Sequence, residues 1–131
     1  MSQPYTRQAV HAPGAPAPNG NYSHAVRQGS TLHVAGWMGD DPKTGKIVEG
    51  GIVGQTHQAM RNIRACLEAA GSSLDKIVRR RIYIIDIKQF RDVDAVWAEW
   101  VGPPFPVSTC VQIGALAKEG ALVELEVVAD A

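Results

Sequence analysis

Near the end of this chain, Glu124 and Glu126 stand two residues apart in Val123-Glu124-Leu125-Glu126. On a regular strand that spacing turns both carboxylates to the same side. A carboxylate so placed can hold a water and pass a proton, although a strand Glu is also an ordinary solvated side chain. A second polar run, Ser108-Thr109-Cys110, lies inside Pro106-Val107-Ser108-Thr109-Cys110-Val111-Gln112. Its apolar neighbours favour a thiol at Cys110 over a thiolate, so we do not assign it as a nucleophile. Arg79-Arg80-Arg81 forms the chain's one basic run, and alternation puts Arg80 on one face with Arg79 and Arg81 on the other. The run is either an ion-paired or solvated cluster, or a source of positive charge for a site. His11, His24, His33 and His57 lack metal-ligand spacing, and Cys66 and Cys110 add none, so no metal is expected. Neither a Gly-rich phosphate loop nor a Ser-His-Asp order is present.

The elements that must position these groups alternate. Residues 11 to 21 are rich in Pro and Gly and exclude a helix. Ala25 to Gln28 and Thr31 to Gly36 read as short strands around a Gly29-Ser30 turn. Asp40-Asp41-Pro42-Lys43-Thr44-Gly45 has turn chemistry. From Ile52 to Ala70, apolar residues recur every three or four positions, which predicts a helix stopped by Gly71. Ile77 to Ile85 reads as a strand and Gln89 to Val101 as a second amphipathic helix, with Trp97 and Trp100 on its apolar side. Thr109 to Ile113 and Leu122 to Val128 are the last strands. Two helices can cover one face of a mixed sheet, giving an α+β fold. The other face then needs a partner, which a small chain gains most simply by oligomerising.

At 131 residues the chain is expected to form one domain over 1–131. Zero formal net charge favours neither nucleic acid nor an anionic membrane. No apolar run approaches the length of a membrane span, and the polar, Pro-rich N-terminus has no signal-like segment. The expected location is cytoplasmic, and a disulfide between Cys66 and Cys110 is not expected there.

Several pieces, in order and at matching intervals, resemble the RidA/YjgF family of small trimeric imine and enamine deaminases, from about Ala12 to Ala129. They are the C-terminal signature above, Asn21-Tyr22-Ser23-His24-Ala25-Val26, Asp41-Pro42-Lys43-Thr44-Gly45, Gln55 through Leu74, and Asp86 through Trp100. The resemblance implies a homotrimer whose sheets form a central barrel with helices outside. Its clefts between neighbouring subunits would take a small-molecule substrate. The implied reaction is hydrolysis of an imine or enamine to a carbonyl compound and ammonia, with no metal or organic cofactor. By the same resemblance Glu124 orients the water and Tyr22 reaches the cleft as a hydrogen-bond donor. Gly36, Trp37, Phe90, Ser108, Thr109 and Cys110 would contact substrate, the bare backbone at Gly36 approaching it closely.

Three positions depart from the family pattern. Ser108 stands where an Arg is expected to grip a carboxylate, Ala35 where a Ser is expected, and Trp37 where a Gln is expected. Exchanging two charge-assisted bonds for one neutral bond costs on the order of a few kcal/mol, or a hundredfold in binding. Ala35 and Trp37 would make the pocket apolar and offer an aromatic face. The expected substrate is accordingly less anionic and bulkier or flatter, unless Arg79, Arg80 or Arg81 restores the cation. The leading reading is a small-molecule enzyme. The alternative is a non-catalytic ligand-binding or chaperone-like trimer. Ribonuclease activity is disfavoured by the neutral charge and the lone basic run.

Overall fold

Alternation near the C-terminus builds the middle of the sheet. In β7 (Val123–Asp130), Val123, Leu125, Val127 and Ala129 are buried, while Glu124, Glu126 and Val128 turn to the opposite face. Strand β5 (Ile77–Ile84) pairs antiparallel along one edge of β7 and carries β6 (Val107–Gln112) in parallel on its far side. Along the other edge of β7 run β3 (Thr31–Val34) and β4 (Trp37–Met38). Beyond β3 come β2 (Ala25–Gln28) and β1 (Gln8–Val10), giving a mixed seven-stranded sheet. The computed structural model describes residues 6–131; the first five residues of the expected 1–131 domain lie outside the described residues.

The fold is the α+β arrangement expected, a mixed sheet with two helices. Helix α1 (Gly51–Ala69) buries Ile52, Ala59, Met60, Ile63, Cys66 and Leu67, the stripe its periodicity predicts. Helix α2 (Phe90–Trp100) buries Val93, Val96 and Trp97. Trp100, expected in the core, is only partly buried. Its indole donates to His57 Nδ1 at 3.0 Å, and the Arg64 guanidinium lies 4.9 Å from its ring centre. No helix among the described residues is long and apolar enough to cross a membrane.

Beyond shifts of one or two residues at element ends, sequence pattern and structure differ at β1 and after β3. Strand β1 has no signal of its own, because Gln8-Ala9-Val10 is too short to show a pattern and is held by cross-strand pairing to β2. The predicted strand Thr31 to Gly36 also breaks early. Thr31 pairs with Asp130 and His33 with Val128, so an unbroken register would set Trp37 against Glu124. Instead Trp37 pairs with Leu125 and Met38 with Glu124. One extra residue is accommodated at Ala35-Gly36, which makes a β-bulge and reverses the facing of everything after it.

Helix α1 also carries two buried amides that hold this region in place. Asn62 Nδ2 donates to the carbonyls of Met38 and Asp40 at 3.1 and 3.0 Å. Gln55 Nε2 donates to the Gly120 carbonyl, and Gln55 Oε1 accepts the Leu122 N–H at 2.8 Å. The strand end after β4 and the loop leading into β7 thereby satisfy their backbone groups on one helix. Gly39 makes the close approach possible. A Cβ there would lie 2.6 Å from the Gln55 Cα.

Candidate active site

The bulge opens a cleft of about 580 Å³ whose lining includes Tyr22, Gly36, Trp37 and Glu124. Glu124 comes from the N-terminal part of β7 and lies against Gly36. A Cβ at 36 would stand 2.9 Å from the Glu124 Cδ, so any side chain there would compete with the carboxylate for space. Glu126 lines the same cleft, as the two-residue spacing predicts, and accepts a hydrogen bond from the Tyr83 hydroxyl at 2.7 Å. Asp40, 2 % exposed, adds a third carboxylate and pairs with Lys118 at 3.0 Å. The Lys118 ammonium also donates to the Gly45 carbonyl.

Burial pushes the Glu124 carboxyl above the usual Glu range, and the nearby charges of Glu126 and Asp40 push it the same way. The Tyr83 hydroxyl is also raised, first by its bond to Glu126. A half-buried carboxyl with a raised pKa holds a proton more readily than a solvated Glu does, which suits it to take and return one.

The N-terminal wall of the cleft is held by His24, one of the four histidines without metal-ligand spacing. Its ring is buried and accepts the Ala12 N–H on Nδ1 at 3.2 Å, so Nε2 carries the proton and donates to the Pro16 carbonyl at 2.9 Å. This clamps the Pro-rich lead-in that carries Tyr22. The Tyr22 hydroxyl donates to Asn19 Oδ1 and accepts the Asn19 N–H, so its proton is committed locally and not to the cleft.

Trp37 corrects an expectation. It lines the cleft but is 3 % exposed, with its ring stacked 5.5 Å from His24. The bulge turned it inward against Leu125, so it forms a floor and offers no open aromatic face. Cys66 packs below it. Burial raises that thiol to about 12, which contact with the indole only partly offsets.

Phe90, Ser108, Thr109 and Cys110 do not join this cleft. Phe90 and Cys110 line a second cavity of about 400 Å³ at the edge of β6, together with Ile87, Lys88 and Arg91. Ser108 and Cys110 share the helix-covered face, since Arg80 of β5 pairs with Ser108 and Ile82 with Cys110. Thr109, paired with Arg81, falls on the open face. Burial raises the Cys110 thiol, partly countered by the Arg80 charge.

Arg80 is 7 % exposed and reaches Ser108 Oγ through Nε and Asp94 Oδ1 through Nη2, both at 2.6 Å. Its guanidinium carbon lies 4.9 Å from the Trp97 ring centre and 5.9 Å from that of Phe90. Sequence reasoning missed Asp40, Lys118 and Tyr83 as cleft residues. Alternation along β5 would have found Tyr83, whereas the Asp40–Lys118 pair joins residues far apart in the chain and leaves no local signal.

Comparison with known proteins agrees with this architecture. A family model described as endoribonuclease L-PSP matches residues 12–131. A RutC family protein of Pyrococcus horikoshii is 39 % identical over 94 % of this chain and 97 % of its own length. A 2-iminobutanoate/2-iminopropanoate deaminase of Capra hircus is 36 % identical over 94 % of this chain and 89 % of its own. The crystal structure of RidA from an Antarctic Psychrobacter species superposes with a TM-score of 0.90 at 35 % identity, covering 95 % of this chain and all of that one. The chain belongs to the endoribonuclease L-PSP family, which is the RidA/YjgF family of the motif resemblance.

Proposed function

We propose that this RidA/YjgF family member hydrolyses small imines and enamines to a carbonyl compound and ammonia, at clefts between the subunits of a homotrimer. The observation that carries the reading is Glu124: a half-buried carboxyl with a raised pKa, kept at the cleft surface by a glycine and backed by two further acids. Its relatives named as 2-imino acid deaminases supply the substrate class.

In this reading water adds to the C=N carbon while Glu124 accepts one of its protons. The same carboxyl then returns that proton to nitrogen. Glu124 next takes the hydroxyl proton of the adduct and passes it to nitrogen, so that the C–N bond breaks, the C=O bond forms, and ammonia leaves. Tyr22, with its proton held by Asn19, shapes the wall and is a positioning residue. Phe90, Ser108 and Cys110 lie outside the cleft of their own chain, so a neighbouring copy would bring them to it. The open sheet face, with Val107 at 65 % and Val111 at 42 % exposed, would be covered in the same assembly. An acid-lined cleft on a neutral protein disfavours a phosphate backbone, which argues against RNA cleavage.

The test is ammonia release from freshly generated 2-iminobutanoate or 2-iminopropanoate. The wild-type protein should accelerate release well above buffer, and Glu124→Gln should lower kcat/KM by about 10²–10⁴-fold. A wild-type protein that binds ligands but releases no more ammonia than buffer is a binding trimer and not a deaminase.

A further inference from the structure

The two regions that carry the expected site residues have opposite charge. Asp40, Glu124 and Glu126 line the cleft, where the Lys118 ammonium is already taken by Asp40 and the Gly45 carbonyl. The cavity at the β6 edge has Lys88 and Arg91 in its lining and no acid. Of the nearby acids, Asp86 accepts the Lys88 N–H and Asp94 is on Arg80. A substrate with a carboxylate next to its C=N group suits neither region alone. It suits the two together, with the reacting carbon by the acids and the carboxylate by the cations.

Arg80 is the best-built cation at that edge. Its side chain is more than nine-tenths buried, its plane is packed near Trp97 and Phe90, and Nε and Nη2 are fixed by Ser108 and Asp94. Nη1 is enclosed and finds no acceptor among the described residues. Buried charged donors are ordinarily satisfied, so Nη1 is the one nitrogen of this guanidinium that the described residues leave unpaired. Ser108 adds a second donor. Its Oγ accepts from Arg80 Nε, which leaves its own proton to be donated outward from an exposed position. Asp94, half exposed, already shows the guanidinium holding a carboxylate.

We propose that Arg80 is the anion-holding residue of this protein: it and the Ser108 hydroxyl grip the carboxylate of a 2-imino acid that a neighbouring copy's Glu124 hydrolyses. The proposal rests on the deaminase reading above. It makes Ser108 one half of an exchange between adjacent strands, with the guanidinium on β5 and the hydroxyl on β6 at paired positions. The sequence-based expectation of a less anionic substrate holds only for an edge without a cation. Arg80 removes that reason.

The test is a double-mutant cycle of Arg80→Thr and Ser108→Arg. It is read by calorimetric binding of 2-oxobutanoate, the non-reacting product, and by kcat/KM for the imine. Thermal stability and oligomeric state are followed alongside. Arg80→Thr should weaken 2-oxobutanoate about a hundredfold. Ser108→Arg alone, which sets two guanidinium groups side by side, should not improve it. The exchanged pair should return to within about tenfold of wild type. If Arg80→Thr proves too unstable, Arg80→Lys should weaken binding about tenfold and Asp94→Asn should tighten it severalfold by freeing the guanidinium. Folded Arg80 variants that bind 2-oxobutanoate as wild type does would overturn the proposal. So would an Asp94→Asn variant that binds it more weakly, or a Ser108→Arg single variant as active as the exchanged pair. Ammonia release with Arg80-independent binding sinks this proposal and leaves the deaminase reading. Arg80-dependent binding without ammonia release sinks the deaminase reading and leaves only the anion-holding role of Arg80.

Discussion

In the cleft, Glu124, Glu126 and Asp40 crowd like charges into a partly buried space, whereas at the β6 edge Arg80 is buried with its countercharge beside it. Both regions bury polar groups at a cost in stability, but in different ways. The cleft raises a carboxyl's pKa by burying it beside like charges. The edge keeps a guanidinium rigid by supplying all partners but one. A proton carrier needs a pKa that can move, and an anion holder needs a fixed direction. The contrast is what one substrate spanning both regions would require.

The largest expected effect concerns the first region. Besides losing activity, Glu124→Gln should change how stability depends on pH. The folded-state pKa of Glu124 is raised above its unfolded value, so between the two the folded protein binds more protons. Stability from this group is present below the unfolded pKa and is lost as pH rises through the folded pKa. Denaturant titrations from about pH 4 to 8 should show that decline in wild type and a flatter profile in the Gln variant. Equal slopes would mean that Glu124 is an ordinary solvated carboxylate.

Next come the amides that frame the cleft. Asn62→Ala leaves the Met38 and Asp40 carbonyls without their donor and opens a small void, which should cost about 2–3 kcal/mol in urea unfolding. The β6 edge should be untouched, so binding of 2-oxobutanoate through Arg80 should survive in the folded fraction. Parallel loss of both would show that the two regions are not separable.

A smaller and sharper contrast is available at two glycines three residues apart. At Gly39 an added Cβ meets the α1 backbone at 2.6 Å, which cannot yield, and Gly39→Ala should cost about 1–3 kcal/mol or more. At Gly36 it meets only the end of the Glu124 side chain. Gly36→Ala should therefore leave unfolding within about 0.5 kcal/mol of wild type while displacing the carboxylate and lowering kcat about tenfold. A fully active Gly36→Ala variant would mean that the Glu124 carboxylate does not depend on a bare backbone at 36.

The order of elements was legible because β7, α1 and α2 each repeat a strong period, and the pairing of Glu124 with Glu126 followed from period 2 alone. What sequence concealed was governed by single-residue offsets and long-range contacts. The extra residue at Ala35-Gly36 turned Trp37 from an expected cleft face into the core. Alternation separated Arg80 from Arg79 and Arg81 but could not say which side α2 would cover. His24 looked idle because its partners, Ala12 and Pro16, are backbone groups with no side-chain signature.

The two cysteines, one in each region, give the mildest probe of the comparison. Cys66 lies fully buried under Trp37 with its thiol raised to about 12, so at about pH 8 it should resist alkylation until the protein unfolds. Cys110 is only partly buried, beside Arg80 at the β6 edge, and should be labelled slowly in the native state. Because Cys110 lies close to the Arg80 charge, 2-oxobutanoate should slow that labelling several-fold in wild type and less in Arg80→Lys. Mass spectrometry of the labelled peptides reads both thiols at once. Labelling of Cys66 in step with Cys110 would mean that the cleft floor opens as readily as the edge, contrary to the rigid frame that the α1 amides imply.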